Sequence, residues 1–303
     1  MPNFLTVCLN PTFQRTLLLS KLETGEVNRA QESRLDASGK GINVSRVLSQ
    51  LGGNTVNHLT HLGTGNKDFL TLCENDNFEV LWTSDPHSPI RTCITLLDQL
   101  QGATTELIEP TQPIQRETVN QIHKLFDSAL HHADWVILSG SKAPGYPSLL
   151  FAEFCQKAQH AGVPVLADYR GDELAESLAF APKVVKVNLV EFCATFLPEL
   201  QPSEAQDSVE RPRVEEHMKR LSSTGIDYVV TRGAREILWA SQGESGSIHP
   251  SPIHPVNTIG CGDSMAAGIA HALAREASLV QAIEEGIRCA SRNAQCLGPG
   301  TLE

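Results

Sequence analysis

Asn257-Thr258-Ile259-Gly260-Cys261-Gly262-Asp263-Ser264-Met265 is the stretch from which the rest of the chain can be read. Two glycines flank one small residue, and an acid follows at once. Beyond it Met265, Ile269, Ala272, Leu273 and Ala277 recur at helical spacing, which puts the glycines at a helix start. The first turn of a helix offers unpaired N–H groups and a partial positive charge, and glycine lets an anion come close to that backbone. Asp263 then has two readings. One is an ordinary N-cap. The other is a proton acceptor held beside an anion hole, the arrangement that moving a phosphoryl group to an alcohol requires. The nonapeptide alone leaves both open.

Upstream, short apolar runs alternate with helical patterns. Residues 4–9, 135–138, 163–167, 184–187 and 228–231 have the composition of buried strands. Helices are expected over 41–51, 147–161, 191–197, 213–222 and 264–276. This alternation predicts a largely parallel sheet covered by helices, an α/β fold. Two regions break the pattern, 11–35 and 88–110, where polar and apolar residues alternate as in Arg91-Thr92-Cys93-Ile94-Thr95-Leu96-Leu97. They read as strands of a small separate sheet, a lid over a core made of 1–10, 36–87 and 111–303. Residues 198–213, with several prolines and acids, read as a surface loop.

Composition narrows the function classes. Of 303 residues 41% are hydrophobic and 19% charged, which suits a soluble globular protein. A formal net charge of -11 argues against a broad nucleic-acid surface. The N-terminus lacks the basic start and apolar run of a signal peptide, and no run reaches transmembrane length, so no membrane role is expected. The 8 cysteines are scattered without a Cys-x-x-Cys pair, the pattern of reduced thiols in a cytoplasmic protein. A helix start can lower the pKa of Cys261, although packing between two glycines explains its presence as well.

Further motifs sit at expected strand ends. Ser38-Gly39-Lys40-Gly41-Ile42-Asn43 fails as a P-loop, because Gly41 stands where Ser or Thr is needed; what remains is a turn opening a helix, with Lys40 and Asn43 on its first turn. Leu138-Ser139-Gly140-Ser141 follows a strand, where open α/β sheets place ligand contacts. Asn188 and Glu191 follow another strand, spaced either to hold a hard cation through oxygens or to close a capping box. Thr231 through Glu236 reads as a hairpin turn.

The order of these motifs carries a resemblance. Asn10-Pro11, Gly39-Lys40-Gly41-Ile42-Asn43, Ser139-Gly140-Ser141, Asn188-x-x-Glu191, Thr231-Arg232-Gly233-Ala234 and Gly260-Cys261-Gly262-Asp263-Ser264 run in the series of the ribokinase-like PfkB carbohydrate kinases. The chain resembles their sugar-phosphate branch, which includes 1-phosphofructokinase and tagatose-6-phosphate kinase. The resemblance implies a three-layer α/β/α core with a β-sheet lid, a cytoplasmic enzyme, and a homodimer built through that lid. It implies a sugar phosphate and ATP as substrates, with Mg²⁺. Asp263 would be the base, with the backbone of Gly260, Cys261 and Gly262 as the anion hole. Gln14, Gly39, Lys40, Asn43, Arg91 and Ser139 would meet the sugar phosphate. Lys186, Asn188, Thr231, Gly233, Gly262 and Asn293 would serve the nucleotide, and Asn188, Glu191 and Asp168 the metal.

Some positions depart from the family pattern. Gln14 stands where an Asp is usual, Ser38 where a glycine is usual, and Glu236 where a glycine near the nucleotide is usual. Gln can donate and accept but carries no charge, so it reads a different hydroxyl pattern. Two other functions therefore fit the same motifs: a kinase for an unphosphorylated sugar or nucleoside, and a sugar-phosphate-binding protein with weakened catalysis.

Overall fold

In the computed structural model residues 1–200 and 207–302 are described, with side chains again from Arg211. Nine strands form one sheet: β1 (Asn3–Cys8), β4 (Thr55–Leu62), β5 (Glu79–Ser84), β8 (Trp135–Ser139), β9 (Val165–Asp168), β10 (Val184–Asn188), β11 (Asp227–Thr231), β12 (Ile237–Ser241) and β13 (Glu244–Ile248). Their order is β13-β12-β11-β10-β9-β8-β1-β4-β5, parallel from β11 to β5, with β12 and β13 closing one edge antiparallel. The expected strands all form, within two residues of the sequence bounds. Consecutive side chains of a strand face opposite layers, as the period of two demands. Thus Val136 and Leu138 join one core with Phe126, Phe154 and Phe192, while Trp135 and Ile137 join the other with Val44, Met265 and Ile283.

The layers are helical. On one side lie α3 (Arg116–Leu130), α4 (Leu150–Ala161), α5 (Asp172–Ser177), α6 (Leu189–Phe196) and α7 (Asp207–Ser222); on the other lie α1 (Lys40–Gln50), α8 (Cys261–Leu273) and α9 (Leu279–Ala294). The short helix α2 (Asn66–Cys73) packs near the second sheet through Phe69, edge-on to Phe13. The loop expected over 198–213 is corrected in part: residues 207–213 belong to α7, which takes Pro212 inside it, while 201–206 lie outside the described residues. No described helix is long and apolar enough to cross a membrane.

The second sheet has four strands, β2 (Thr12–Leu19), β3 (Glu32–Ser38), β6 (Arg91–Asp98) and β7 (Ala103–Ile108), in the order β3-β2-β6-β7. Register puts Ser38, Thr12 and Arg91 on one face with Asp36, Gln14 and Cys93. The opposite face carries Leu35, Leu17, Ile94, Leu96 and Leu107, half-buried or exposed. Because β2 follows β1 directly and α1 follows β3 directly, the polar face of the small sheet leads straight into the C-terminal edge of the large one.

Candidate active site

The parallel strands end on one edge, where the N-termini of α1 and α8 also arrive; open α/β sheets bind ligands in this crevice. Gly260 is the N-cap of α8, with φ 84, and the helix starts at Cys261. A side chain at position 260 would meet the backbone of Gly300 at 2.8 Å, so the turn demands glycine twice over. The capping reading of Asp263 is corrected: its side chain makes no cap hydrogen bond, and it projects from the first turn as a buried carboxylate.

Asp263 Oδ2 accepts from Asn43 Nδ2 at 2.8 Å. Burial pushes the Asp263 carboxyl up to about 6, and neighbouring Asp168 adds to the rise; Lys40, the Asn43 amide and Lys186 restrain it. A carboxylate with a pKa near the working pH, at a helix start, has the properties of a proton acceptor.

Lys40 opens α1, and its ammonium lies between Asp168 Oδ1 at 3.3 Å and Glu191 Oε1 at 3.1 Å. Burial lowers the Lys40 pKa, but Asp168, Glu191 and Asp263 outweigh it, and the group stays charged. Asp168 ends β9 with no exposed surface. Burial raises its carboxyl, yet Lys186 and Lys40 outweigh burial and hold it below the ordinary range. Lys186 Nζ stands 3.4 Å from Asp168 Oδ2, and a side chain at Gly262 would come within 3.1 Å of it. Lys186 therefore lies against the glycine turn itself.

Asn188 and Glu191 form a capping box at the start of α6: Glu191 N donates to Asn188 Oδ1 at 2.8 Å, and Asn188 N to Glu191 Oε2 at 3.0 Å. The other Glu191 oxygen remains with Lys40. Asp168 and Glu191 thus present oxygens on either side of one cation, a donor set suited to a hard ion held largely through water and phosphate. Among the described residues no cluster of three or more His, Cys, Asp or Glu forms a closed metal cage.

Gln14 is buried on β2, its Nε2 donating to Thr95 Oγ1 at 2.7 Å. Arg91 opens β6 on the same face of the small sheet; its Nε is buried, without a partner among the described residues. An unpaired guanidinium donor beside the cleft suits an anionic group on a ligand. Gly39 precedes α1 with φ 123. Thr231 pairs in register with Asn188, and Gly233 lies exposed in the β11–β12 hairpin, as the sequence reading of that turn expects. Glu236 is no loose acid there. It is ion-paired with Arg232 and with Arg211 at 2.7 Å; burial raises its carboxyl, but its own backbone N–H and the two guanidiniums hold it below the ordinary range.

Three expected residues sit differently. Ser139 ends β8 fully buried, its hydroxyl, like the Arg91 Nε, without a hydrogen-bond partner among the described residues. Asn293 is fully buried behind the glycine turn, donating to Ile259 O at 2.9 Å and accepting from Gly300 N at 2.6 Å. Its amide is committed to holding that turn, because an unpaired buried amide would be costly. The Cys261 thiol is pushed up to about 11 by burial, with Asp263 and Cys296 adding, so the helix start does not activate it. Two contacts of the network escape a sequence reading, although Ser38 itself stands out there as a departure from the family pattern. Ser38 and Arg46 both reach Asn43, at 3.1 and 3.4 Å, and only the spacing of Asn43 and Arg46 on one face of α1 hints at it.

The sequence profile of the pfkB family carbohydrate kinases matches residues 11–303. Among solved structures, a protein described as a possible 1-phosphofructokinase from Thermotoga maritima is 20% identical with a TM-score of 0.85, covering 99% of this chain and 94% of that one. Phosphofructokinase-2 from Escherichia coli in complex with potassium is 21% identical with a TM-score of 0.83, covering 98% and 94%. The same enzyme in complex with fructose-6-phosphate is 20% identical with a TM-score of 0.81, covering 97% and 94%. At these identities the structures attest a shared fold.

Proposed function

Because the chain belongs to the pfkB family of carbohydrate kinases, enzymes that transfer a phosphoryl group to a sugar hydroxyl, we propose that it phosphorylates a ketohexose phosphate in the cytoplasm. The acceptor is of the kind used by 1-phosphofructokinase or tagatose-6-phosphate kinase. Kinases of this family use ATP, usually with Mg²⁺, which neutralises charge on the transferred phosphate when bound. Asp168 and Glu191 are the residues that would hold the metal, with Asn188 beside them.

The observation that carries the reading is Asp263, buried at the start of α8 with its pKa raised to about 6 and ringed by Asn43, Lys40 and Lys186. Asp263 takes the proton of the acceptor hydroxyl as that oxygen attacks phosphorus. The N–H groups at Gly260 and Gly262 would face the charge that develops, with Lys186 beside Gly262 adding to them, whereas the Cys261 N–H, expected to join them, donates to Thr258 O at 3.3 Å. Asn43 aims the carboxylate. The small sheet would act as the lid that brings Gln14 and Arg91 over the sugar and limits hydrolysis by water. Arg91 suits the phosphate already on the acceptor, since its buried Nε lacks a partner among the described residues.

An ADP-release screen across sugars and sugar phosphates tests this. Turnover is expected with a phosphorylated ketohexose; none with any sugar phosphate at high enzyme concentration would defeat the reading. Arg91→Ala should raise KM for the phosphorylated acceptor by about 10–100-fold, the loss of one charge-assisted contact, with little change in KM for ATP. An equal loss with uncharged sugars would instead favour an unphosphorylated acceptor.

A further inference from the structure

Asn43 can point either of two chemically opposite atoms at Asp263, and the far end of its amide decides which. That far end, Oδ1, accepts from Ser38 Oγ at 3.1 Å and from Arg46 Nη1 at 3.4 Å. A guanidinium only donates, so the atom beside Arg46 has to be the oxygen. An ionised carboxylate only accepts, so the atom beside Asp263, 2.8 Å away, has to be the nitrogen. The two ends agree. Arg46 is itself held, through Nε to Asp76 at 2.8 Å, Nη2 to Ala37 O at 2.7 Å and Nη1 to Pro299 O at 3.1 Å. Ser38 is the last residue of β3, and its hydroxyl is buried against the first turn of α1.

Resting on the assignment of Asp263 as the base, we propose that Arg46, which can only donate, sets the direction of the Asn43 amide, and that Ser38, donating to the same oxygen, is a positioning residue that holds it with Nδ2 toward Asp263. The hydrogen bond so enforced goes to the charged form of the carboxylate and favours it. During the reaction the acceptor proton passes to Asp263; Asn43 and Ser38 neither gain nor lose one. If the amide turned over, Oδ1 would face the carboxylate and favour its protonated, inactive form. The other charged and titratable groups facing Asp263 are Lys40 from α1, Asp168 from β9, Lys186 from β10 and Cys261 from its own helix. None of them is altered by a change at Ser38.

The test is the pH profile of kcat for the full chain, compared among wild type, Ser38→Ala, Ser38→Thr and Asp263→Asn. In the wild type, activity should fall as pH drops through about 6, where Asp263 would take up its proton. In Ser38→Ala that acidic limb should move to higher pH by about half a unit, the worth of a weakened hydrogen bond, with KM for ATP unchanged. Ser38→Thr keeps the hydroxyl and should return the limb to its place. A Ser38→Ala profile that superimposes on wild type, or falls equally at every pH, overturns the proposal. If Ser38→Ala does not fold, Ser38→Gly removes the same hydroxyl and is judged by the same profile. Turnover that survives in Asp263→Asn, by contrast, removes the base assignment itself, and with it the premise for Ser38.

Discussion

Asp263 is held in a place that works against its own ionisation, and this has a cost outside catalysis. Its pKa is raised from 3.8 to about 6, first by burial and then by Asp168. An acid that ionises less readily in the folded chain than in the unfolded one lowers stability as pH rises between those two values. Asp263→Asn should therefore lose turnover by about 10²–10⁴-fold, the usual worth of a positioned base, and yet melt at higher temperature. The gain should be absent near pH 4 and grow to on the order of 2 kcal/mol by pH 7, read by thermal denaturation at several pH values. An equal loss of turnover without any gain in Tm would mean that the carboxylate is not strained. The identity of this acid is legible in the sequence, since two glycines and a helix period surround it. Its strain is not, because burial, Asn43 and Asp168 come from segments far apart in the chain.

At the scale of elements, the glycine turn before α8 is only as good as what holds it from behind. Asn293, on the last turn of α9, ties Ile259 O to Gly300 N and so joins the turn to the C-terminal segment. Asn293→Ala leaves the buried Gly300 N–H and the half-buried Ile259 carbonyl unpaired, which costs about 1–3 kcal/mol and should loosen the turn. We expect a lower Tm together with a fall in kcat at saturating ATP; a fall in Tm with kcat intact would make the residue purely structural. The strands flanking the site were readable from apolar runs, but β4 was not. Its polar His58 and Thr60 are fully buried, and His58 Nδ1 is satisfied by Thr6 Oγ1 at 2.8 Å and Ser45 Oγ at 2.9 Å. Burial pushes His58 down to about 3, so it stays neutral inside the sheet. A strand whose interior positions are polar hides from any pattern built on hydrophobicity. The start of α8 is displaced for a similar reason, since Cys261 and Gly262 are weak helix formers and the apolar period begins only at Met265.

For the whole molecule, the small sheet has two faces with opposite needs. One carries Gln14, Asp36, Ser38 and Arg91 toward the site; the other carries Leu17, Leu35, Ile94, Leu96 and Leu107 with nothing described packed over most of it. Leu107 is 53% exposed. A largely apolar face of this kind, crossed by Arg15 between Leu35 and Ile94, marks an interaction surface, and a second copy of the same face is the simplest cover for it. The sequence alternation announced both faces; their assignment to site and partner needed the register of β3, β2 and β6. The chain is therefore proposed to be a homodimer built on these faces, with a mass in solution of twice 32.9 kDa by light scattering at micromolar concentration. Ile94→Glu, in the middle of the apolar face, should shift it to monomer without unfolding the core, because the large sheet contributes nothing to that surface. If closing the lid depends on the partner, the monomer should also lose acceptor affinity while its KM for ATP holds. A wild-type chain that scatters as a monomer, or an Ile94→Glu variant that remains dimeric, would place the contact elsewhere.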